Sequence, residues 1–247
     1  MKRLLLSCTL LCLAGSAAGA APPEGDYKLV WHDEFDGEAL DLTKWDYRGL
    51  GPRRDAVNTK ESVRVDGEGH LVLTTSKVGG EYHTGMVGTQ GKFETTFAYF
   101  ECRVKMQTQV GHWSAFWLQS PTINEVGDSR VNGVEMDIFE YLASTPDLLR
   151  MNLHWDGYGD EHKSSGFQSR APGLSEGYHT IGLEWLPEGY ALYVDGKKLA
   201  HKQVAPSHRS QYIILSLEVG KWAGDIGRAT LPDSVYFDYV RVYQRPR

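Results

Sequence analysis

The chain has 247 residues, with 26 Lys and Arg against 32 Asp and Glu and a formal net charge of −6 at pH 7. Basic residues do not cluster beyond the pair Arg53-Arg54, so nucleic acid and anionic membrane surfaces are excluded as ordinary partners.

The first residues read as an export signal. Lys2 and Arg3 precede an apolar run from Leu4 to Leu13, and small residues follow as Ala18-Gly19-Ala20. This is the layout of a cleaved secretory segment over residues 1–20, and the run is far shorter than the ~20 residues of a membrane span. A secreted or periplasmic protein is expected, with 21–247 as one domain and no transmembrane segment. Cys8 and Cys12 leave with the signal, so Cys102 is the lone thiol of the mature chain, without a disulfide. The alternation in Tyr99-Phe100-Glu101-Cys102-Arg103-Val104 packs that thiol rather than exposing it.

Taken in chain order, the remaining segments read as strands. Gly69 to Thr75, Phe97 to Met106, His179 to Trp185, Tyr190 to Val194, Tyr212 to Val219 and Ser234 to Tyr243 are short and rich in β-branched and aromatic residues. Turn signals such as Asp66-Gly67-Glu68-Gly69 and Asp195-Gly196 separate them, and the latter suits the tip of a hairpin. No stretch sustains a helical period. The pattern predicts an all-β antiparallel sandwich, a jelly roll with a concave cleft. Polar stretches at Tyr47–Thr59, Ser120–Asn132 and Asp156–Gly173 are expected as long loops around that face. Gly85 to Gly91 is glycine-spaced but opens no helix, so it is no phosphate cradle. His154, Asp160, Glu161 and His162 match no zinc spacing.

The chemistry concentrates in Val134-Glu135-Met136-Asp137-Ile138-Phe139-Glu140-Tyr141-Leu142. In a strand, Val134, Met136 and Ile138 face the core while Glu135 and Asp137 face away. A regular strand then turns Glu140 inward, where an unpaired carboxylate costs several kcal/mol. One extra residue near Ile138-Phe139, a β-bulge, returns Glu140 to the face of the other two. With about four strand steps of ~3.3 Å between them, two inclined glutamates can close to the ~5–5.5 Å of a retaining glycosidase. Asp137 is then placed to hold Glu135 by a hydrogen bond and to separate the proton affinities of the pair. The residues alone leave open a solvated acidic strand face, or an amphipathic helix with Val134, Ile138 and Leu142 inside.

The context narrows these alternatives. Glu135-Met136-Asp137-Ile138-Phe139-Glu140 resembles the Glu-[aliphatic]-Asp-x-x-Glu strand of glycoside hydrolase family 16. Trp31-His32-Asp33-Glu34-Phe35-Asp36-Gly37 with Leu42-Thr43-Lys44-Trp45 resembles that family's opening, and Phe237 to Tyr243 its closing strand. Tyr99 to Lys105 is similar to its Phe/Tyr-Glu-x-Arg strand, with Ala98 where glycine is usual. Gly111-His112-Trp113-Ser114-Ala115-Phe116-Trp117-Leu118 is similar to its Gly-x-Trp-Pro-Ala-x-Trp strand, with Ser114 in place of proline.

The resemblance covers nearly the whole mature chain. It implies a retaining endo-β-glycosidase acting on an oligo- or polysaccharide, with Glu135 as nucleophile, Asp137 assisting it and Glu140 as acid/base. The spacing matches the bulged branch of laminarinases and β-galactanases. Seven Trp and thirteen Tyr suit sugar faces as well as a β core. Trp113 and Trp117, four apart on one strand, share a face and are expected to stack sugars. Trp222 is expected at the cleft rim, and His154 near the nucleophile. No cofactor is required; the resemblance admits a structural calcium near Glu34 and Asp238. A monomer is expected. The substrate is a β-1,3-glucan by family default, while Ser114 and the Asp156–His162 loop leave room for galactan or poly-lactosamine. A non-catalytic carbohydrate-binding protein and a transglycosylase are the competing readings.

Overall fold

The computed structural model describes residues 22–246, so the export segment expected at 1–20 lies outside the described residues. The strands in chain order begin with β1 (Lys28–Asp33), β2 (Asp46–Tyr47), β3 (Gly51–Arg53), β4 (Ala56–Asn58), β5 (Val63–Val65) and β6 (Leu71–Val78). There follow β7 (Glu81–Thr84), β8 (Met86–Gly88), β9 (Tyr99–Lys105), β10 (His112–Gln119), β11 (Glu135–Leu142) and β12 (Leu148–Trp155). The last are β13 (Lys163–Arg170), β14 (His179–Leu186), β15 (Gly189–Val194), β16 (Lys197–Lys202), β17 (Tyr212–Val219) and β18 (Asp233–Gln244). Among the described residues, helix is confined to one turn, α1 (Ser129–Asn132), and two 3-10 turns at Lys221–Ala223 and Ile226–Arg228. Among the described residues no helix is long and apolar enough to cross a membrane.

Two sheets form an antiparallel sandwich. One runs β16-β15-β14-β9-β18-β6-β7-β4-β3, with β1 on β18 and β5 on β6; the other runs β13-β12-β11-β10-β17-β8-β2. The core lies between them. Phe100, Val104, Phe237 and Val240 from the first sheet meet Phe116, Leu118, Met136, Ile138, Leu215 and Leu217 from the second.

Every residue of β10 and β17 is buried, although side chains alternate between faces. Their even positions on β10 and odd ones on β17 enter the core. The opposite positions, including Trp113, Trp117, Ser216 and Glu218, line a cleft on the outer face. That second buried face is where a sandwich acquires a site.

The six expected strands are present within about three residues. The stretches expected as loops are more regular than their composition suggests. Tyr47–Thr59 contains β3 and β4, and Asp156–Gly173 contains the eight-residue edge strand β13. β13 pairs only with β12 and leaves alternate residues exposed. An edge strand with solvent on one side needs few apolar residues, so Lys163-Ser164-Ser165-Gly166 carries no hydrophobic alternation to reveal it.

Candidate active site

β11 lies between β10 and β12, and its ladder slips where the carboxylates require it. Asp137 faces Trp117 and Phe139 faces Phe116 on β10, so Ile138 has no partner of its own. On the other side the pairing passes from Asp137–Asn152 to Glu140–Arg150. Ile138 and Phe139 are both fully buried. The extra residue lets Glu135, Asp137 and Glu140 share one face, lining a cleft of about 840 Å³.

Glu135 is held from two sides. Gln119, directly opposite in the β10–β11 ladder, donates from Nε2 to Glu135 Oε2 at 2.8 Å, and the Tyr158 hydroxyl donates to the same oxygen. The amide orientation of Gln119 is set by its other end. Arg48 and the Tyr212 hydroxyl both donate to Gln119 Oε1, at 2.7 and 2.5 Å, leaving Nε2 for the carboxylate. Tyr158 reaches the site from a turn in which Asp156 and Gly157 adopt φ of 63° and 71°. The Asp156 carboxylate pins that turn by accepting from Gly127 N at 3.0 Å and Lys163 Nζ at 2.7 Å.

Asp137 is buried, with His154 Nε2 at 3.3 Å from its carboxylate. Burial first, and then the charges of Glu135 and Glu218, push its carboxyl well above the usual range. Asp137 lies beside Glu135, whose Oε2 is engaged by Gln119 and Tyr158. Asp137 acts on its neighbours through charge, and acceptor atoms of Glu135, Asp137 and His154 crowd within 4.8 Å of one another. His154 sits opposite Glu135 on β12. Its Nδ1 lies 2.9 Å from His162 Nε2, and the two rings stack with centroids 5.1 Å apart.

Glu140 has a different environment. Burial first, then the nearby charge of Asp137, raise its carboxyl to about 8, while Asn152 Nδ2 opposes the shift by donating to Oε2 at 2.5 Å. The two glutamates therefore differ. One accepts two hydrogen bonds on a single oxygen; the other is kept protonated near neutrality, and a retaining pair needs two carboxyl groups in such different environments.

The three tryptophans all line the cleft but present unequal surface. Trp113 is 4% exposed and Trp117 7%. Trp117 donates from Nε1 to Ser216 at 3.1 Å and packs among Met86, Ala115, Tyr212 and Ile214. Arg54 lies 5.1 Å from the Trp113 ring, and Trp222 meets Trp113 edge-on at 5.2 Å and 88°. Trp222 is 50% exposed at the rim, so it offers the open indole face.

The calcium expectation does not fit the residues present. Glu34 is bridged by Arg241 Nε and Nη2 at 2.9 and 2.7 Å, and Asp238 by Arg103 at 2.5 Å. Each carboxylate already carries its own guanidinium, so the two do not form a donor set for a hard cation.

Gln119, Tyr158, Asn152, His162, Arg48, Arg54 and Glu218 also line the cleft, and sequence reasoning did not assign them to it. Glu218 accepts from Arg53 and Arg54 at 2.8 and 2.5 Å. Asn152 was within reach of that reasoning, standing two residues before His154, and His162 was weighed there only as a metal ligand. Arg48 and Tyr212 stand 71 and 93 residues from Gln119, a separation that carries no local pattern.

Comparison with known proteins supplies the family. The chain is 29% identical to the beta-glucanase of Rhodothermus marinus over 98% of its own length and 92% of that protein. It is 28% identical to the keratan-sulfate endo-1,4-beta-galactosidase of Sphingobacterium multivorum, over 90% of this chain but only 56% of that one. The laminarinase of Flavobacterium sp. UMI-01 superposes with a TM-score of 0.77 at 26% identity, covering 88% of this chain and all of that structure. The family model for glycosyl hydrolases family 16 matches residues 51–241, and the chain belongs to that family.

Proposed function

We propose that the protein is an exported, endo-acting β-glycanase that works by double displacement with retention. The observation that carries this reading is the split between Glu135, held by two donors on one oxygen, and Glu140, whose carboxyl is raised to about 8. Glu135 attacks the anomeric carbon while Glu140 gives its proton to the departing glycosidic oxygen. A glycosyl ester on Glu135 results. Glu140, now a carboxylate, takes a proton from water, which attacks the anomeric carbon, and the ester bond breaks to free Glu135. The charge of Asp137 helps hold the proton on Glu140. Trp222 offers a platform for the sugar chain.

The relatives divide between β-glucans and a β-galactan: one is named a beta-glucanase and another a keratan-sulfate endo-1,4-beta-galactosidase. A β-1,3-glucan or a β-1,4-linked galactan or poly-lactosamine chain is the proposed substrate. The basic start and small-residue end of residues 1–20 support export. Glu135→Gln is expected to abolish turnover with an unchanged melting temperature; full activity in that variant overturns the assignment.

A further inference from the structure

We infer that Trp222 and Arg150 form a subsite for an acidic sugar beside the reaction centre. The sugar ring lies on the indole, and an oxyanion substituent, a sulfate ester or a carboxylate, is taken by the guanidinium. This rests on the glycanase reading above and narrows its substrate class to β-glycans bearing acidic groups.

Arg150 is opposite Glu140 in the β11–β12 ladder and lines the cleft. Its guanidinium carbon lies 5.9 Å from the centre of the Trp222 ring. Its protein partners are uncharged, the Thr145 hydroxyl at 2.9 Å and the Leu148 carbonyl at 3.5 Å. Of the other arginines that line the cleft, Arg53 and Arg54 are matched by Glu218. Arg150 forms no ion pair among the described residues.

The carboxylates around it do not supply the missing charge. Glu218 is engaged by two guanidinium groups. Glu140 is protonated when it serves as acid, and its Oε2 is taken by Asn152. A half-buried cation without a counter-ion is costly, and a guanidinium has five N–H donors in a planar fork that fits an oxyanion at two points. Trp222 gives the fork a fixed neighbour. Its edge is braced on Trp113, and its turn is tied down by Gly111 N to Ala223 O at 2.8 Å and Gly220 N to Gly111 O at 3.2 Å. Arg150 lies over that ring at 5.9 Å and Trp222 is exposed, so a sugar bound against the indole is within reach of the guanidinium. Arg48, by contrast, is saturated by Gln90, Gln119 and Tyr212 and serves the nucleophile.

Binding by the inactive Glu135→Gln protein, measured by titration calorimetry, tests the subsite apart from turnover. The probes are keratan sulfate oligosaccharides and their desulfated counterparts, and laminarin oligosaccharides with and without oxidation of C6 to carboxyl. At least one acidic probe is expected to bind about tenfold tighter than its neutral partner, a difference of ~1.4 kcal/mol. The pair that shows the gain distinguishes sulfate from carboxylate. Adding Arg150→Gln is expected to erase the gain and leave neutral binding unchanged, and Arg150→Lys to restore part of it. Equal binding within both pairs, a gain that survives Arg150→Gln, an equal loss on neutral probes, or no binding to any probe overturns the proposal. Hydrolysis of the same probes by the wild-type protein reads the glycanase assignment separately.

Discussion

Gln119 and Glu135 face each other across the β10–β11 ladder and are joined side chain to side chain at 2.8 Å, with Arg48 locking the far end of the amide. The aim of Glu135, the proposed nucleophile, is thus set by backbone register and carried through one amide to a guanidinium. Gln119 Nε2 and the Tyr158 hydroxyl lie 2.6 Å apart and bond the same oxygen of Glu135.

From this sharing we expect Gln119→Ala and Tyr158→Phe each to remove about 1.5–3 kcal/mol of stabilisation, the range for a bond to a charged group. The double variant should lose less than the sum, because each donor's geometry depends on the other. A double-mutant cycle in kcat/KM measures the coupling; strictly additive losses contradict a shared clamp.

Glu140 must hold its proton for the first step, so kcat/KM should fall as pH rises past about 8. Two neighbours pull on that limb in opposite senses. Asp137→Asn removes a nearby negative charge and should move the limb to lower pH. Asn152→Ala removes a donor that favours the carboxylate and should move it higher. A pH–rate profile for each variant checks the signs, and shifts in the same direction would refute the assigned causes.

The same group links stability to pH. Its folded pKa of about 8 lies above the ordinary carboxyl value of 4.5, so the native state binds more protons than the unfolded chain between them. Stability from this source is complete below about 4.5 and declines as pH rises to about 8. Glu140→Gln should flatten that decline. Melting temperatures of both proteins between pH 4.5 and pH 8 provide the comparison.

Gly111 anchors the turn that carries Trp222. Its φ is +86°, and a Cβ there would stand 2.2 Å from the Ile226 Cα. Gly111→Ala must displace the Lys221–Arg228 segment. We expect it to lower kcat/KM about tenfold, ~1.4 kcal/mol, chiefly through KM, as Trp222→Ala should. Unchanged KM in both variants would remove Trp222 from substrate binding.

Much of this was legible in residue order, for identifiable reasons. β9, β14, β15, β17 and β18 carry dense apolar and aromatic patterns because they border the core. The bulge was legible through a conflict, since a regular β11 would have buried Glu140 beside Ile138. Residues acting across the sheet left no such mark. Tyr158 lies in a polar turn held by Asp156, and Arg48 meets Gln119 only because β2 and β10 belong to the same sheet. The polar edge strand β13 was hidden for want of a second buried face. The arginine partners of Glu34 and Asp238, Arg241 and Arg103, were likewise hidden, because they meet them from other strands.

The order of anomers released tests the mechanism most directly. Proton NMR of a β-glycan digest in its first minutes should show the β anomer of the new reducing end before mutarotation yields the α form. Release of the α anomer first would mean a single inverting displacement and contradict Glu135 as a nucleophile.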